Sequence, residues 1–332
     1  MDISITAPAF PPAPPATLKG VGFGRIFTDR MFAADFSPEK GWHDARIVPL
    51  SNISLHPACC VFHYGAEVFE GLKAYRTEDG GIQLFRPLDN GRRLWNSCER
   101  MGLPQLSPED FVEAVRTFVR EEAPWVPGEA NTSLYLRPFV FCTDVQLGVH
   151  GIRNASFYII ASPVGSYYPH GLAPVHIAIE REDVRAVRGG TGYAKCGGNY
   201  AAATRATVKA EKAGYDQVLW LDGVERRYIE EVGAMNVMFK IGGKVVTPSL
   251  TGSILPGITR STSAGRNGPW RRRTAFGCCG TAGRRQIRYL GGSLGLRHRR
   301  RHLPHRFPVL RRSGLPGQRR EHRPGGPEAL RY

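Results

Sequence analysis

Gly189-Gly190-Thr191-Gly192-Tyr193-Ala194-Lys195-Cys196-Gly197-Gly198-Asn199-Tyr200-Ala201-Ala202 is the stretch around which the rest of the chain can be read. Five of the ten residues from Gly189 to Gly198 are glycine, and Lys195 is the only lysine between Lys73 and Lys209. Glycine permits positive φ and lets a ligand come close to the backbone. A lysine held in such a loop can form a Schiff base with a carbonyl once burial or a cationic neighbour lowers its pKa. A solvated lysine on a Gly-rich surface loop has the same composition, because most lysines are exposed. Composition alone leaves both readings open.

Outward from the loop, residues 200–213 read as a helix closed by Gly214, and Gln217-Val218-Leu219-Trp220-Leu221 reads as a strand. Asp222-Gly223 turns into Arg227-Tyr228-Ile229-Glu230-Glu231, and strands at Asn236-Val237-Met238-Phe239 and Lys244-Val245-Val246 flank Gly242-Gly243. Upstream, Val175-His176-Ile177-Ala178-Ile179 begins a second domain after a linker at 163–172 rich in Pro, Gly and Tyr. Residues 133–141 and 156–161 read as strands. Ser107 caps and Pro108 opens a helix whose Phe111, Val112, Val115, Phe118 and Val119 form an apolar core stripe, limited by Pro124. Pro87 opens another that carries Arg92, Arg93, Leu94, Trp95 and Cys98. Strand-like runs on both sides of Glu78-Asp79-Gly80-Gly81 make a hairpin. Residues 23–49 alternate short strand-like pieces with turn residues, and 1–16 form a flexible Pro/Ala-rich arm. The sum is a two-domain α+β or α/β protein, with a small N-terminal α/β domain at 17–162.

At 332 residues the chain is long enough for two domains. No apolar run approaches the roughly 18 residues of a transmembrane helix, and no secretory signal is visible, so no membrane partner is expected. The seven cysteines include adjacent pairs at Cys59-Cys60 and Cys278-Cys279 and no C-x-x-C spacing. They suit neither a metal site nor an ordinary disulfide framework and point to a reducing cytoplasm. The formal charge of +16 invites a nucleic-acid partner, but residues 261–332 carry the whole excess, with 18 arginines against Glu321 and Glu328. The body before them is neutral.

Several strings stand in order: His63-Tyr64-Gly65 with Phe69-Glu70-Gly71-Leu72-Lys73-Ala74-Tyr75, Leu84-Phe85-Arg86-Pro87, Ser133-Leu134-Tyr135-Leu136-Arg137-Pro138, the lysine loop, Glu230-Glu231-Val232-Gly233-Ala234-Met235-Asn236, and Leu255-Pro256-Gly257-Ile258-Thr259-Arg260. Together they resemble the branched-chain amino acid aminotransferases, which are class IV (fold type IV) pyridoxal-phosphate enzymes. The resemblance covers about residues 36–260. It implies amino-group transfer between L-Leu, L-Ile or L-Val and 2-oxoglutarate, with pyridoxal 5'-phosphate as cofactor. Lys195 would hold the cofactor and then move the proton. Glu231 would keep the pyridinium nitrogen protonated so that the ring acts as an electron sink. Tyr200 would hydrogen-bond the phenolic oxygen. Arg93 would bind the phosphate, and Gly257-Ile258-Thr259 would offer backbone N–H groups and a hydroxyl to it at a helix start. Tyr64, Phe69, Tyr135 and Arg137 would receive the substrate between aromatic walls. The family also implies a homodimer or larger assembly, with a partner loop helping to close the site. D-amino acid transaminases and aminodeoxychorismate lyases are the alternative within the class; they share the lysine and glutamate but not these strings together.

After Arg260 the resemblance stops. The family continues with a helix, further strands and a Gly-Thr-x-Thr-Ala-type turn that completes the phosphate and carboxylate contacts. Here Gly280-Thr281-Ala282 is only a fragment of similar letters. Residues 261–332 hold twelve glycines, no lysine or methionine, and Ile287 as their one isoleucine. Out-of-frame translation of GC-rich DNA gives this composition. The expectation is therefore a frame shift near residue 261, a partial cofactor-binding domain at 173–260, and an anomalous disordered tail. Lost strand partners leave open edges, with poor solubility and weak or absent activity. The alternatives are an inactive chain whose basic tail binds nucleic acid through Arg271-Arg272-Arg273, Arg299-Arg300-Arg301 and Trp270, or disordered filler.

Overall fold

A computed structural model describes residues 1–7, 10–19, 21–165, 174–241, 244–266, 287–290 and 293–296. The chain divides into a unit Met1–His298 and a unit Arg299–Tyr332, the second of which lies outside the described residues.

The first sheet gathers β1 (Ser4–Ile5), β2 (Arg30–Ser37), β3 (Gly41–Pro49), β4 (Glu67–Phe69), β5 (Leu72–Arg76), β6 (Ile82–Leu84), β7 (Ser133–Cys142) and β8 (Ala155–Val164). Their order is β1-β3-β2-β8-β7-β5-β6, with β4 also on β7. The long β7/β8 pair, antiparallel from Ser133↔Val164 to Cys142↔Ala155, is its spine. Successive side chains of a strand point to opposite faces. Leu134, Leu136 and Val140 of β7 therefore join the main core, while Phe139 and Phe141 stack with Tyr158 on the other face. Tyr135 and Arg137 share the parity of Phe139.

Three helices flank this sheet: α1 (Cys60–Tyr64), α2 (Pro87–Met101) and α3 (Pro108–Glu121). Ser107 Oγ accepts the Asp110 N–H at 3.0 Å, the expected cap, and Phe111, Val115 and Phe118 are fully buried against Leu94 and Phe157. The hairpin around Asp79 is present as β5/β6.

Several expectations change. Residues 23–49 hold two long strands rather than short pieces, since the Ser37–Gly41 turn is the only reversal between them. The N-terminal arm is tied down: Ser4 and Ile5 pair in parallel with Arg46 and Ile47, and the Met1 amine lies 3.3 Å from an Asp110 carboxylate oxygen. Helix α1 lacks a side-chain cap and was not foreseen. Cys60 and Cys142, 82 residues apart in sequence, form a disulfide with Cα atoms 6.2 Å apart, against the expectation from spacing. β8 runs through the first two linker residues to Val164, and 166–173 lie outside the described residues.

The second sheet is smaller. It orders β9 (Ile177–Ile179), β10 (Gln217–Leu221), β11 (Ile229–Val232) and β12 (Met235–Asn236) as β12-β11-β10-β9. The helix α4 (Gly197–Lys212) packs Ala206 and Ala210 on Val218 and Trp220. It starts three residues earlier than expected, inside the lysine loop. The strand expected at 236–239 is broken by Val237-Met238, so β13 (Phe239–Ile241) leaves β12 and pairs with β14 (Lys244–Val246). Helix α5 (Ile258–Arg266) follows, and β15 (Ile287–Leu290) pairs with β16 (Ser293–Leu296). The end of α5 and this strand pair lie in the segment expected to be disordered. Gly280-Thr281-Ala282, both arginine runs, Trp270, Cys278 and Cys279 lie outside the described residues. Among the described residues, no helix is long and apolar enough to cross a membrane, and no cluster of His, Cys, Asp and Glu could hold a metal ion.

Candidate active site

Helix α2 is the support on which the site is built. Arg93, Ser97 and Arg100 fall at i, i+4 and i+7 and so share a face. The Lys195 N–H donates to Ser97 Oγ at 2.9 Å, and Arg100 donates to the carbonyls of Gly190 at 3.2 Å and Gly189 at 3.0 Å. On the other side the Lys195 carbonyl accepts the Phe69 N–H at 2.9 Å. Asn199, in the first turn of α4, donates to the carbonyls of Thr191 and Ala194, both at 2.9 Å. The glycine-rich string is thus a clamped turn, which is why α4 begins at Gly197.

Gly192 has a specific reason to be glycine. A methyl there would overlap the Ser253 carbonyl oxygen and lie 2.6 Å from the Ala186 Cβ. Gly192→Ala is expected to destabilise the fold by about 1–3 kcal/mol, as overpacking against backbone does, and to lower the melting temperature accordingly.

The clamp directs the Lys195 side chain inward. Its Nζ lies 2.7 Å from the Tyr200 hydroxyl and 4.4 Å from the Phe69 ring centroid. Burial pulls the Lys195 amine down to about 8; Glu70 opposes this, and Arg93 and Arg137 add to it. Burial pushes the Tyr200 hydroxyl up to about 12, with the Glu231 charge acting the same way. Glu231 is 3% exposed, and burial raises its carboxyl to about 7 although the Arg185 guanidinium pulls it down. The Arg185 Nε stands 2.7 Å from Glu231 Oε2, and Asn236 Nδ2 donates to Glu231 Oε1 at 2.6 Å.

Arg93 grips Glu70 with two bonds, at 2.7 and 2.8 Å, and donates to the Pro256 carbonyl at 3.3 Å. This places it beside Gly257 and Ile258, at the start of α5. Together they line a cavity of about 200 Å³ that also takes Arg86, Arg92 and Arg260 into its wall. Lys195, Tyr200 and Glu231 are not in that wall.

Arg137 stacks 4.7 Å from the Phe69 centroid and donates to the Tyr135 hydroxyl at 3.0 Å; its buried Nε has no hydrogen-bond partner. The structure therefore brings together Lys195, Tyr200, Phe69, Tyr135, Arg137, Glu231 and Arg93, with Gly257 and Ile258 next to Arg93. Two expected residues stand apart. Tyr64 is exposed and gives its hydroxyl to the Leu147 carbonyl, because α1 turns it towards that loop. The Thr259 side chain is exposed in the first turn of α5. Sequence reasoning missed Glu70, Ser97, Arg185 and Asn236 as site residues. Glu70 and Asn236 stood inside the quoted strings; Ser97 and Arg185 carried no local signal.

Known proteins resemble this chain in sequence and in fold. The family model described as amino-transferase class IV matches residues 67–263. The branched-chain-amino-acid transaminase 1 of Bacillus subtilis (strain 168) is 54% identical over 244 residues, which is 73% of this chain and 68% of that protein. The branched-chain-amino-acid aminotransferase of Mycolicibacterium smegmatis is 46% identical over 262 residues, 77% of this chain and 71% of that protein. Among solved structures, the branched-chain aminotransferase of Thermoproteus uzoniensis with norvaline superposes with a TM-score of 0.59 at 28% identity, covering 71% of this chain and 73% of that one. The T.th. branched-chain amino acid aminotransferase with pyridoxamine 5'-phosphate gives 0.57 at 28% identity, covering 70% and 72%.

Proposed function

This chain belongs to the class IV aminotransferases and within them is a branched-chain amino acid aminotransferase of fold type IV, and from that premise we propose a role for each residue of the Lys195 cluster. Its cofactor is pyridoxal 5'-phosphate, and its substrates are amino acids and 2-oxo acids.

The residues present fit that group. A partly buried amine near neutrality, a buried carboxylate coupled to it, and an arginine beside the backbone of a helix start are the groups that an aldehyde, a ring nitrogen and a phosphate each require. When bound, pyridoxal phosphate supplies a carbonyl carbon for an amine to condense with and a ring that accepts the electron pair left at the substrate Cα. Lys195 would hold the cofactor through Nζ and would take the proton from the substrate Cα. Tyr200 orients that Nζ through the 2.7 Å bond and would hydrogen-bond the phenolic oxygen. Glu231 would pair with the ring nitrogen. Arg93 and the backbone of Gly257, Ile258 and Thr259 take the phosphate. Phe69, Tyr135 and Arg137 receive the substrate, for which we propose L-Leu, L-Ile and L-Val with 2-oxoglutarate. Tyr64 is left out of this assignment, since its hydroxyl is committed to Leu147.

The observation that carries this reading is the clamped Lys195 with its amine at about 8, in contact with Tyr200. Only the neutral amine attacks a carbonyl, and its population grows about tenfold per pH unit below its pKa. Cofactor capture is expected to accelerate up to about pH 8 and then level off, as stopped-flow absorbance would show. A rate that is flat from about pH 6 to about 8 contradicts it. Activity with L-leucine against D-alanine separates this reading from the other class IV activities; a preference for D-alanine overturns it.

We further propose a division into an N-terminal domain at 17–162 and a partial cofactor domain at 173–260, a homodimer or larger homo-oligomer, and a cytoplasmic setting. The composition of 261–332 supports a shifted reading frame over that segment.

A further inference from the structure

Arg185 is 8% exposed and lies ten residues before the lysine. Its guanidinium touches three separate pieces of the site. Nε stands 2.7 Å from Glu231 Oε2 on β11. Nη2 donates to the Gly192 carbonyl in the lysine loop at 3.1 Å, and also to the Ser253 carbonyl. Ser253 in turn donates to Glu230, and Asn236 links Glu231 to the Leu255 carbonyl at 2.9 Å. The segment 253–255 leads into Gly257 and α5. One buried cation therefore joins the loop that carries the amine, the strand that carries the carboxylate, and the approach to the phosphate cradle. Its planar fork suits this task, since it can address a carboxylate and two carbonyls at once, which an ammonium cannot.

We propose that Arg185 is a positioning residue: through Glu231 it sets the charge that meets the ring nitrogen, and through Gly192 and Ser253 it keeps the Lys195 loop in register with that charge. This rests on the roles given above to Glu231 and Lys195. The charged and titratable groups around Glu231 are Arg185, Lys195, Tyr200 and Glu230, with the neutral Asn236 amide completing its shell. Of these, Arg185 and Asn236 are in direct contact. Without Arg185 the buried carboxyl is protonated at neutral pH and offers the ring nitrogen no anion.

The test is titration of the purified full-length chain with pyridoxal 5'-phosphate between about pH 6.5 and 9, read by absorbance, with melting of the cofactor-free protein alongside. In Arg185→Gln the pH midpoint for binding is expected to move up by at least about one unit, with about tenfold weaker binding at neutral pH. Lys195 titrates in the same window, and Glu231→Gln isolates its share. In the Glu231→Gln background, Arg185→Gln is expected to leave the midpoint where it is. Arg185→Lys keeps the charge and is expected to hold the parent midpoint while binding more weakly. If Arg185→Gln does not fold, Arg185→Lys decides: a midpoint moved up by a full unit despite the retained charge overturns the proposal. An unmoved midpoint in a folded Arg185→Gln chain overturns it as well. If Lys195→Ala leaves the absorbance of the parent mixture unchanged, the reading of the whole site fails and the proposal with it. If that absorbance depends on Lys195 but the midpoint ignores Arg185, the proposal alone fails.

Discussion

Lys195→Ala abolishes the visible absorbance that the chain acquires with pyridoxal 5'-phosphate and slows exchange of the L-leucine α-proton by about four orders of magnitude. Two contributions combine. The amine is the only nucleophile in the cluster, so its loss removes covalent capture. It is also the group placed to take the proton, and a positioned general base is worth about 10²–10⁴ in rate. Tyr200 cannot substitute, because burial holds its hydroxyl at about 12, leaving it protonated. Glu231 cannot either, being held by Arg185 and Asn236. The fold should tolerate the change, since the Lys195 backbone is tied to Ser97 and Phe69 independently of the side chain's bond to Tyr200. Solvent-exchange NMR on deuterated leucine measures the effect. Exchange within tenfold of the parent would move the base to another residue.

Replacing residues 261–332 by the corresponding C-terminal segment of the Bacillus subtilis relative is expected to raise L-leucine turnover by at least about a hundredfold and to increase the soluble fraction. The match to that relative spans 68% of its length, so about a third of it has no counterpart in the matched region. Among the described residues the second sheet has four strands, two of them three residues or shorter, with Leu219, Leu221, Val232, Val237, Phe239 and Val246 forming one small cluster and Ala206, Ala210, Val218 and Trp220 another. Unpaired edges of this kind invite association between chains. The turn that the family resemblance implies would bring backbone donors to the substrate carboxylate and the phosphate, and one such preorganised donor is worth about 10²–10³ in rate. Coupled-assay turnover and sedimentation of the lysate read both effects. Equal turnover in the two chains would show that the segment as written completes the enzyme, and the frame-shift proposal would fall.

Much of this could be read along the chain. The lysine stood out because glycines surround it and no other lysine is near. The β7 and β8 strands, the Ser107 cap and the apolar stripe of α3 are local patterns with a period of their own, and each appears where expected. The charge asymmetry by itself separates residues 261–332 from the body. Glu231 and Tyr200 stood inside contiguous family strings, and the resemblance added Arg93 on the helix that Pro87 opens.

What stayed hidden depends on contacts across the chain. Nothing in its neighbourhood marks Arg185; it matters because β11 and the 253–255 segment fold against it. Glu70 directly follows the end of β4, yet its role comes from meeting Arg93 on α2. The spacing of Cys60 and Cys142 gives no sign of pairing, but β7 ends beside α1 and brings them together. Tyr64 shows the converse: the string suggested a substrate contact, and a five-residue helix turned its hydroxyl to Leu147. Sequence pattern reports which face of an element is apolar and which residues are near in the chain. Partners of buried charges are chosen by packing between elements, where desolvation makes an unpaired charge costly and so dictates which distant group must lie beside it.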